Sequence, residues 1–481
     1  MNGNLKDKTV NAVAWNSIER VISLLINAFV GIILANILLP EDFGAVGIII
    51  ALSSFMNIFT ESGFNTALIQ KKNTSERDYN TVFTFNLFVS LSLYFILFFC
   101  APLISQFYNE PRITALSRVI FLGVIFQAFG LVQSSMLIRE MRMKEFNLAN
   151  IVSNISTGIV SIVLVLAGFG VWALVFQQLT PTIVRTSVYY IKTRWKPRIG
   201  FNKTAFKEMF SVGSNIFLTS FVSTLFQNIY SLVIGKVYNM NQLGYYNQAD
   251  KWSKMGYTSI SQVMAQPALP VLSSIQNDRE RMQRVFSKLN KTTAYIVFAV
   301  FGGLIVMAEP IFHLFFGTKW DLSIPLFQLL LAKGIFFVFV ILMNNYITST
   351  GRTRAIFFLE LIKDTAIVIA IVFTIGIDLK AIVIGQLIAT IVHFIVTLFY
   401  TQRITGYSVT QQLKDHSPYL LISSVISALL IFIGQLISNE ILLLAIQLIL
   451  FVTLYLSINK LLNSKIQKDI IDTIKQRFQR N

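Results

Sequence analysis

Twelve charged side chains stand inside otherwise apolar stretches of this 481-residue chain, and they are the residues with chemistry to do. Seven are basic (Arg20, Arg118, Arg185, Lys251, Lys254, Lys333, Lys363) and five are acidic (Glu19, Glu61, Asp250, Glu360, Asp364). A charge near the centre of a bilayer costs about 2.5–3.5 kcal/mol even on the milder insertion scales, so each one needs a partner or an aqueous cavity. One kind of partner is local. Asp250 and Lys254 are four residues apart and Glu360 and Lys363 three apart, so either pair is spaced to neutralise itself on one helix. The other kind is an anionic ligand, because guanidinium and ammonium groups bind phosphate through charge-assisted hydrogen bonds. Arg118, near the end of its segment, has a third outlet in reaching back to the interface. The cationic-cavity candidates are therefore Arg20, Arg185 and Lys333 first, Lys251 and Lys363 next, and Arg118 last. Glu61 and Asp364 are the candidates for coupling to a Na+ or H+ gradient.

The elements that must position these residues follow from composition. The chain is 54% hydrophobic and only 13% charged, with a mean hydropathy of +0.64 and a net charge of +17. A soluble domain carries about twice that share of charge. A helix needs about 20 predominantly apolar residues to cross a bilayer. Fourteen such segments can be drawn, at 10–38, 43–63, 81–104, 113–137, 147–167, 170–192, 210–235, 243–270, 289–309, 323–348, 355–376, 379–401, 417–437 and 440–461. The first and eighth are the least apolar, because they hold Glu19–Arg20 and Asp250–Lys251–Lys254. The expected fold class is an all-α polytopic integral membrane protein.

The basic residues test that topology, since cytoplasmic connections are enriched in Lys and Arg. With the N-terminus inside, 29 of the 40 basic residues fall in inward connections and tails, and only Arg112, Lys236, Lys319 and Lys380 fall outside. Most of the net charge is thus a topology signal and not a nucleic-acid footprint. The C-terminal tail places Ile466, Ile470, Ile471, Ile474 and Phe478 at helical spacing among Lys and Arg, the pattern of an amphipathic helix on an anionic leaflet. Residues 201–210 read the same way, more weakly. They also mark a midpoint: Pro40 to Gly44 after the first segment is echoed by Met240 to Gly244 after the seventh. Asn16 precedes Gly44 by 28 residues and Asn215 precedes Gly244 by 29. The expected organisation is a six-helix bundle over 1–200, a second over 201–405, two extra helices over 406–462 and a cytoplasmic tail over 463–481. Parallel repeats of this kind are related by an axis along the membrane normal, with the substrate path between them.

Other chemistry finds little support. Cys100 is the single cysteine, and His313, His393 and His416 show no metal-ligand spacing, so no metal site and no bound cofactor are expected. His393 is notable as an ionisable group midway along an apolar segment. Residues 200–204 lack the glycine spacing of a P-loop. No connection is long enough to hold a catalytic domain, so an enzyme, such as an integral-membrane polymerase, is disfavoured.

Several short motifs resemble one known family. These are Ile33-Leu34-Ala35-Asn36-Ile37-Leu38-Leu39-Pro40-Glu41-Asp42-Phe43-Gly44, Gly63-Phe64-Asn65-Thr66-Ala67-Leu68-Ile69-Gln70, Asn80-Thr81-Val82-Phe83, Ala101-Pro102-Leu103-Ile104, Phe107-Tyr108, and Arg139-Glu140-Met141-Arg142-Met143-Lys144. Leu243-Gly244-Tyr245-Tyr246 with Ala249 continues the match. Together they resemble the lipopolysaccharide and teichuronic-acid exporter branch of the polysaccharide transporters, within the multidrug/oligosaccharidyl-lipid/polysaccharide flippase superfamily. Asn36 stands where that family often has a basic residue, so no cationic role is carried over to it. The resemblance implies a bilobed fourteen-helix flippase of the bacterial cytoplasmic membrane. It would move a polyprenyl-pyrophosphate-linked oligosaccharide outward by alternating access, with glycan polymerase or assembly proteins as further partners. A cation-coupled drug exporter of the same superfamily is the alternative, and such exporters favour acidic cavities.

Overall fold

The computed structural model describes residues 2–61, 64–265 and 267–478, with the side chains of residues 2–10, 61, 211–216, 474, 477 and 478, Glu61, Asn215, Ile474 and Phe478 among them, outside the described residues. Every regular element among the described residues is helical. The first part of the chain forms α1 (Asn2–Ile37), α2 (Pro40–Glu61), α3 (Phe64–Gln70), α4 (Glu76–Tyr108), α5 (Arg112–Ile120), α6 (Leu122–Arg139), α7 (Met143–Leu166), α8 (Trp172–Thr193), α9 (Lys203–Val237) and α10 (Met240–Ala265). The second part continues with α11 (Ala268–Ser274), α12 (Arg279–Val306), α13 (Ala308–Phe316), α14 (Ser323–Ser349), α15 (Thr353–Thr374), α16 (Leu379–Thr405), α17 (Val409–Gly434), α18 (Glu440–Leu461) and α19 (Lys465–Phe478).

Eleven helices among the described residues are long and apolar enough to cross a membrane. That is the physical requirement of a bilayer, where a helix satisfies every backbone group internally. The first segment passes this test despite Glu19 and Arg20. Three helices of spanning length, α8, α10 and α15, are absent from the eleven. They are the helices that carry Arg185, the Asp250–Lys251–Lys254 group and the Glu360–Lys363–Asp364 group. Residues 203–210 form the first turns of α9, continuous with the helix that runs on to Val237.

The chain divides into two compact units, residues 1–247 and 248–481. In the first, α1 packs on α7, α7 on α8, α6 on α8 and α2 on α9; in the second, α14 packs on α16, α15 on α16 and α12 on both α14 and α17.

The motifs noted above are junctions within the first unit. Pro40 opens α2, where its fixed φ suits the first turn and its missing N–H is not needed. Asp42 accepts from the Leu39 N–H at 3.1 Å, and Arg112 ties Glu110, Asp42 and Glu41 together at 2.8, 3.1 and 3.4 Å. Beside it, Arg112 holds the Glu110 carboxyl below its usual range. Asn80 and Thr81 serve the segment leading into α9: Asn80 Oδ1 accepts from the Arg198 N–H at 3.0 Å and Thr81 Oγ1 from the Asn202 N–H at 3.1 Å. Arg139 donates to the Leu68 and Lys72 carbonyls at 3.0 and 2.7 Å, and Arg142 to the Lys192 carbonyl at 2.9 Å.

The two copies of the repeated turn meet each other. A Cβ on Gly44 would lie 2.0 Å from the Met240 carbonyl oxygen, and a Cβ on Gly244 would lie 1.8 Å from the Pro40 carbonyl oxygen. Each glycine of the repeat thus faces the helix start of the other copy, an exchange expected of two equivalent elements crossing about a local two-fold. Asn247 continues the contact, donating from Nδ2 to the Phe43 carbonyl at 3.3 Å while Ser231 donates to its Oδ1 at 3.2 Å. Gly44→Ala or Gly244→Ala should lower stability in detergent by about 1–3 kcal/mol through forced separation of the helices. Gly376→Ala, where an added Cβ meets nothing within 4 Å, serves as the neutral control in the same thermal-unfolding measurement.

Candidate functional site

Arg185 comes from the middle of α8, on a face that repeats at helical spacing: Gln178, Thr182, Arg185, Thr186 and Tyr189. The face looks onto α2 and α6. Two cavities of about 200 and 190 Å³ open there, and Gln127, Thr182 and Arg185 line both. Ser53, Asn57 and Gln178 add polar groups to the first, and Asn65, Ser134 and Thr186 add them to the second. Neither lining contains an Asp or Glu. No described carboxylate lies within ion-pair distance of the guanidinium. Glu19 itself accepts from the Ser23 hydroxyl at 2.8 Å, and that hydroxyl accepts from Asn154 at 2.6 Å. The arrangement is one cation surrounded by hydroxyls and amides. It can hold an anion by charge and a polyol by hydrogen bonds.

The other basic candidates have different surroundings. Lys333 of α14 is buried, with its Nζ 4.0 Å from Asp250 Oδ1 and 5.6 Å from the centre of the Tyr257 ring. Asp250 is buried on α10 and also pairs with Lys254 at 2.6 Å, so one carboxylate serves two ammonium groups. Lys251 is exposed, 5.6 Å from the Trp252 ring centre. Lys363 pairs with Glu360 and lies 3.5 Å from buried Asp364. His393 of α16, also buried, faces the Glu360–Lys363 pair within electrostatic range. Arg118 donates from Nε to the Phe98 carbonyl at 3.3 Å and stacks over the Phe98 ring at 4.2 Å. Arg20 is exposed on α1 with no ion pair among the described residues. The Glu61 side chain lies outside the described residues. Arg20, Arg185 and Arg118 thus belong to the first unit and Lys251, Lys333 and Lys363 to the second, each in its own setting.

Sequence reasoning found Arg185 by its charge and passed over the neutral groups around it. A signal existed. Gln178, Thr182, Arg185, Thr186 and Tyr189 are spaced i, i+4, i+7, i+8 and i+11, and Gly123, Gln127, Leu131 and Ser134 share one face of α6. A polar stripe along a membrane helix marks a surface that faces protein or a cavity and not lipid.

Among the described residues, eleven apolar spans and charged groups set within helices define a multi-pass membrane protein. The chain belongs to the family described as "Polysaccharide biosynthesis protein", whose profile matches residues 33–325. It is 26% identical over 428 residues to the succinoglycan biosynthesis transport protein ExoT of Rhizobium meliloti (strain 1021), a match covering 87% of this chain and 82% of that one. To the teichuronic acid biosynthesis protein TuaB of Bacillus subtilis (strain 168) it is 22% identical over 358 residues, 74% of each chain. In fold it is similar to the lipid II flippase MurJ in an inward closed conformation, with a TM-score of 0.77 at 18% identity, covering 96% of this chain and 100% of that one. The family resemblance carried by residues 33–44 and 63–70 is therefore correct.

The shared carboxylate gives a direct test of the second unit. Asp250→Asn leaves the buried Lys333 without its countercharge, and breaking such a pair typically costs about 3–5 kcal/mol. Thermal unfolding in detergent should show that loss, and Asp250→Asn combined with Lys333→Met should recover much of it. Equal stability of wild type and Asp250→Asn would mean that Lys333 is charge-compensated by something other than Asp250.

Proposed function

We propose that this protein is a flippase that carries a polyprenyl-pyrophosphate-linked oligosaccharide from the inner to the outer leaflet of a bacterial cytoplasmic membrane. The single observation that carries the reading is Arg185, a cation without an ion-paired carboxylate among the described residues, set in a polar, acid-free cavity inside the helices. Its guanidinium suits a diphosphate, and the surrounding Gln127, Gln178, Thr182 and Asn57 suit sugar hydroxyls. The absence of any acid from the lining argues against the drug-exporter alternative, whose cationic cargo would be repelled. Relatives named for succinoglycan transport and teichuronic acid biosynthesis fit a polysaccharide precursor as cargo.

In this reading the chain has fourteen membrane helices, α8, α10 and α15 joining the eleven, with both termini in the cytoplasm. The three are the least apolar because they carry Arg185, the Asp250–Lys251–Lys254 group and the Glu360–Lys363–Asp364 group. Residues 1–200 and 201–405 act as the two alternating bundles, with 406–462 as additional helices and 463–481 as the tail. The reciprocal contact of Gly44 and Gly244 supports that repeat. Asp364, 3.5 Å from Lys363, is the group we assign to ion coupling, together with Glu61. The reaction forms and breaks no covalent bond, so the protein is not an enzyme.

Arg185→Ala should reduce surface-glycan assembly at least about tenfold at equal protein level in the membrane, as expected for loss of one or more charge-assisted phosphate bonds. The same cells should accumulate a polyprenyl-linked saccharide at the inner leaflet. Full complementation would remove Arg185 from the site, and a deletion strain that gains drug sensitivity without accumulating the lipid intermediate would favour the exporter reading. Topology is checked separately: reporter fusions at 71–77, 192–207 and 279–291 should all give a cytoplasmic signal. A single outward signal breaks the fourteen-helix arrangement.

A further inference from the structure

A second cationic site lies in the second unit, at the basic ends of three helices. Arg284, Lys288 and Lys291 of α12, Lys414 of α17 and Lys465 at the start of α19 line one cavity of about 400 Å³. The spacing 284, 288, 291 puts the first three on one face of α12. Two acids share the lining and are already engaged: Asp469 with Lys288 at 2.6 Å and Asp415 with Lys291 at 3.2 Å. Asp415 also accepts from the Tyr407 hydroxyl. Arg284, Lys414 and Lys465 have no carboxylate within ion-pair distance among the described residues. Five cations thus face two carboxylates.

Basic residues at helix ends ordinarily make nothing more than a solvated surface. Here they surround a hollow, because α19 is folded back onto the bundle. Ile466 and Gln467 are buried, and Gln467 Nε2 donates to the Leu456 carbonyl at 3.0 Å. The same helix then supplies an apolar continuation. One turn beyond Lys291, Tyr295 packs against Tyr419 and Tyr455 at ring distances of 5.5 and 5.4 Å. Past Tyr295 a groove of about 420 Å³ runs between α12 and α18, lined by Ala299, Gly303 and Met307 on one side and Leu448 and Val452 on the other. From Lys291 to Met307 the helix rises about 24 Å, most of the way across a hydrocarbon core of roughly 30 Å.

A cationic pocket with a carbon-lined groove further along the same α12 has the polarity pattern of a phospholipid. We propose that the pocket formed by Arg284, Lys291, Lys414 and Lys465 binds the phosphate of an anionic phospholipid, with an acyl chain in the α12–α18 groove. Basic pockets between membrane helices at the interface bind anionic head groups in this way. No residue of the Arg185 cavities takes part, so the site is separate from the one assigned to cargo. The lipid would also fasten α19 to α12 and α17, since Lys465 reaches it from α19.

The test is lipid retention by the purified full chain, read by native mass spectrometry after exchange into vesicles holding equal phosphatidylglycerol and phosphatidylcholine. Wild-type protein should retain phosphatidylglycerol preferentially. Replacing the three unpaired cations together (Arg284→Ala, Lys414→Ala, Lys465→Ala) should cut that retention at least about tenfold, the loss of roughly one charge-assisted contact in free energy. Retention of phosphatidylcholine should not change. Lys192→Ala with Lys196→Ala and Lys203→Ala removes equal charge elsewhere and should have no effect. If the triple variant does not fold, Lys414→Glu alone, at an exposed position, should still lower retention about threefold. Ala299→Trp, which fills the groove, should weaken retention with every cation intact. The proposal is overturned by unchanged phosphatidylglycerol retention in these variants. Displacement of the lipid by millimolar inorganic phosphate would mark a site for soluble phosphate, and preferential retention of a polyprenyl diphosphate over phosphatidylglycerol would mark a cargo site; either result overturns it too.

Discussion

The approach of two backbones at Gly44 and Gly244 is the contact on which the first unit is organised. Inside a bilayer, burial of apolar surface gives helices little reason to associate, since lipid tails are as apolar as the side chains. Close van der Waals contact must do it, and that requires positions with no side chain. Gly44 brings α2 against the Met240 carbonyl and Gly244 brings α10 against the Pro40 carbonyl. Around that crossing the Arg112 cluster fixes the start of α2, and Asn247 and Ser231 tie α9 to the same point. The cavity-lining faces of α2, α6 and α8 are then set in one unit whose packing begins from that crossing.

Charge inside the helices is handled in two ways. In the second unit most of it is paired: Asp250 answers Lys254 and Lys333, and Glu360 answers Lys363, while Lys251 lies near the Trp252 ring with no ion-paired carboxylate among the described residues. Such pairs make the insertion of α10 and α15 more tolerable. In the first unit Arg185 has no ion-paired carboxylate among the described residues, and Gln127, Gln178 and Thr182 line the same cavity. An arginine in that setting is receptive to an anion, because an incoming phosphate restores the countercharge that the protein omits. The difference between the two units is therefore a difference in what each leaves unfinished.

Much of the fold was legible along the chain. Long apolar blocks give helices, and the similar turns Pro40 to Gly44 and Met240 to Gly244 fall at helix starts that meet one another. The local pairs at 250/254 and 360/363 were also readable, since i, i+3 and i, i+4 neighbours meet on any helix. Less legible were partners far apart in sequence. Nothing along the chain joins Lys333 to Asp250, His393 to the Glu360–Lys363 pair, or Arg118 to the ring of Phe98. The neutral lining of the Arg185 cavities was written as polar stripes on α6 and α8, but a stripe alone does not say which helix it faces.

The sequence by itself determined that this is a multi-pass helical membrane protein, its family and the small set of charges that stand inside its helices, because hydropathy, helical period and local pairing are properties of neighbours along a chain. Tertiary structure decided which of those charges are quenched and which stay available. That outcome depends on distances between helices that are far apart in the sequence. It placed Lys333 on Asp250, left Arg185 among amides and hydroxyls, and folded α19 back to gather Lys465 with Arg284 and Lys414. Charge is a property of the residue; its availability to a ligand is a property of the packing.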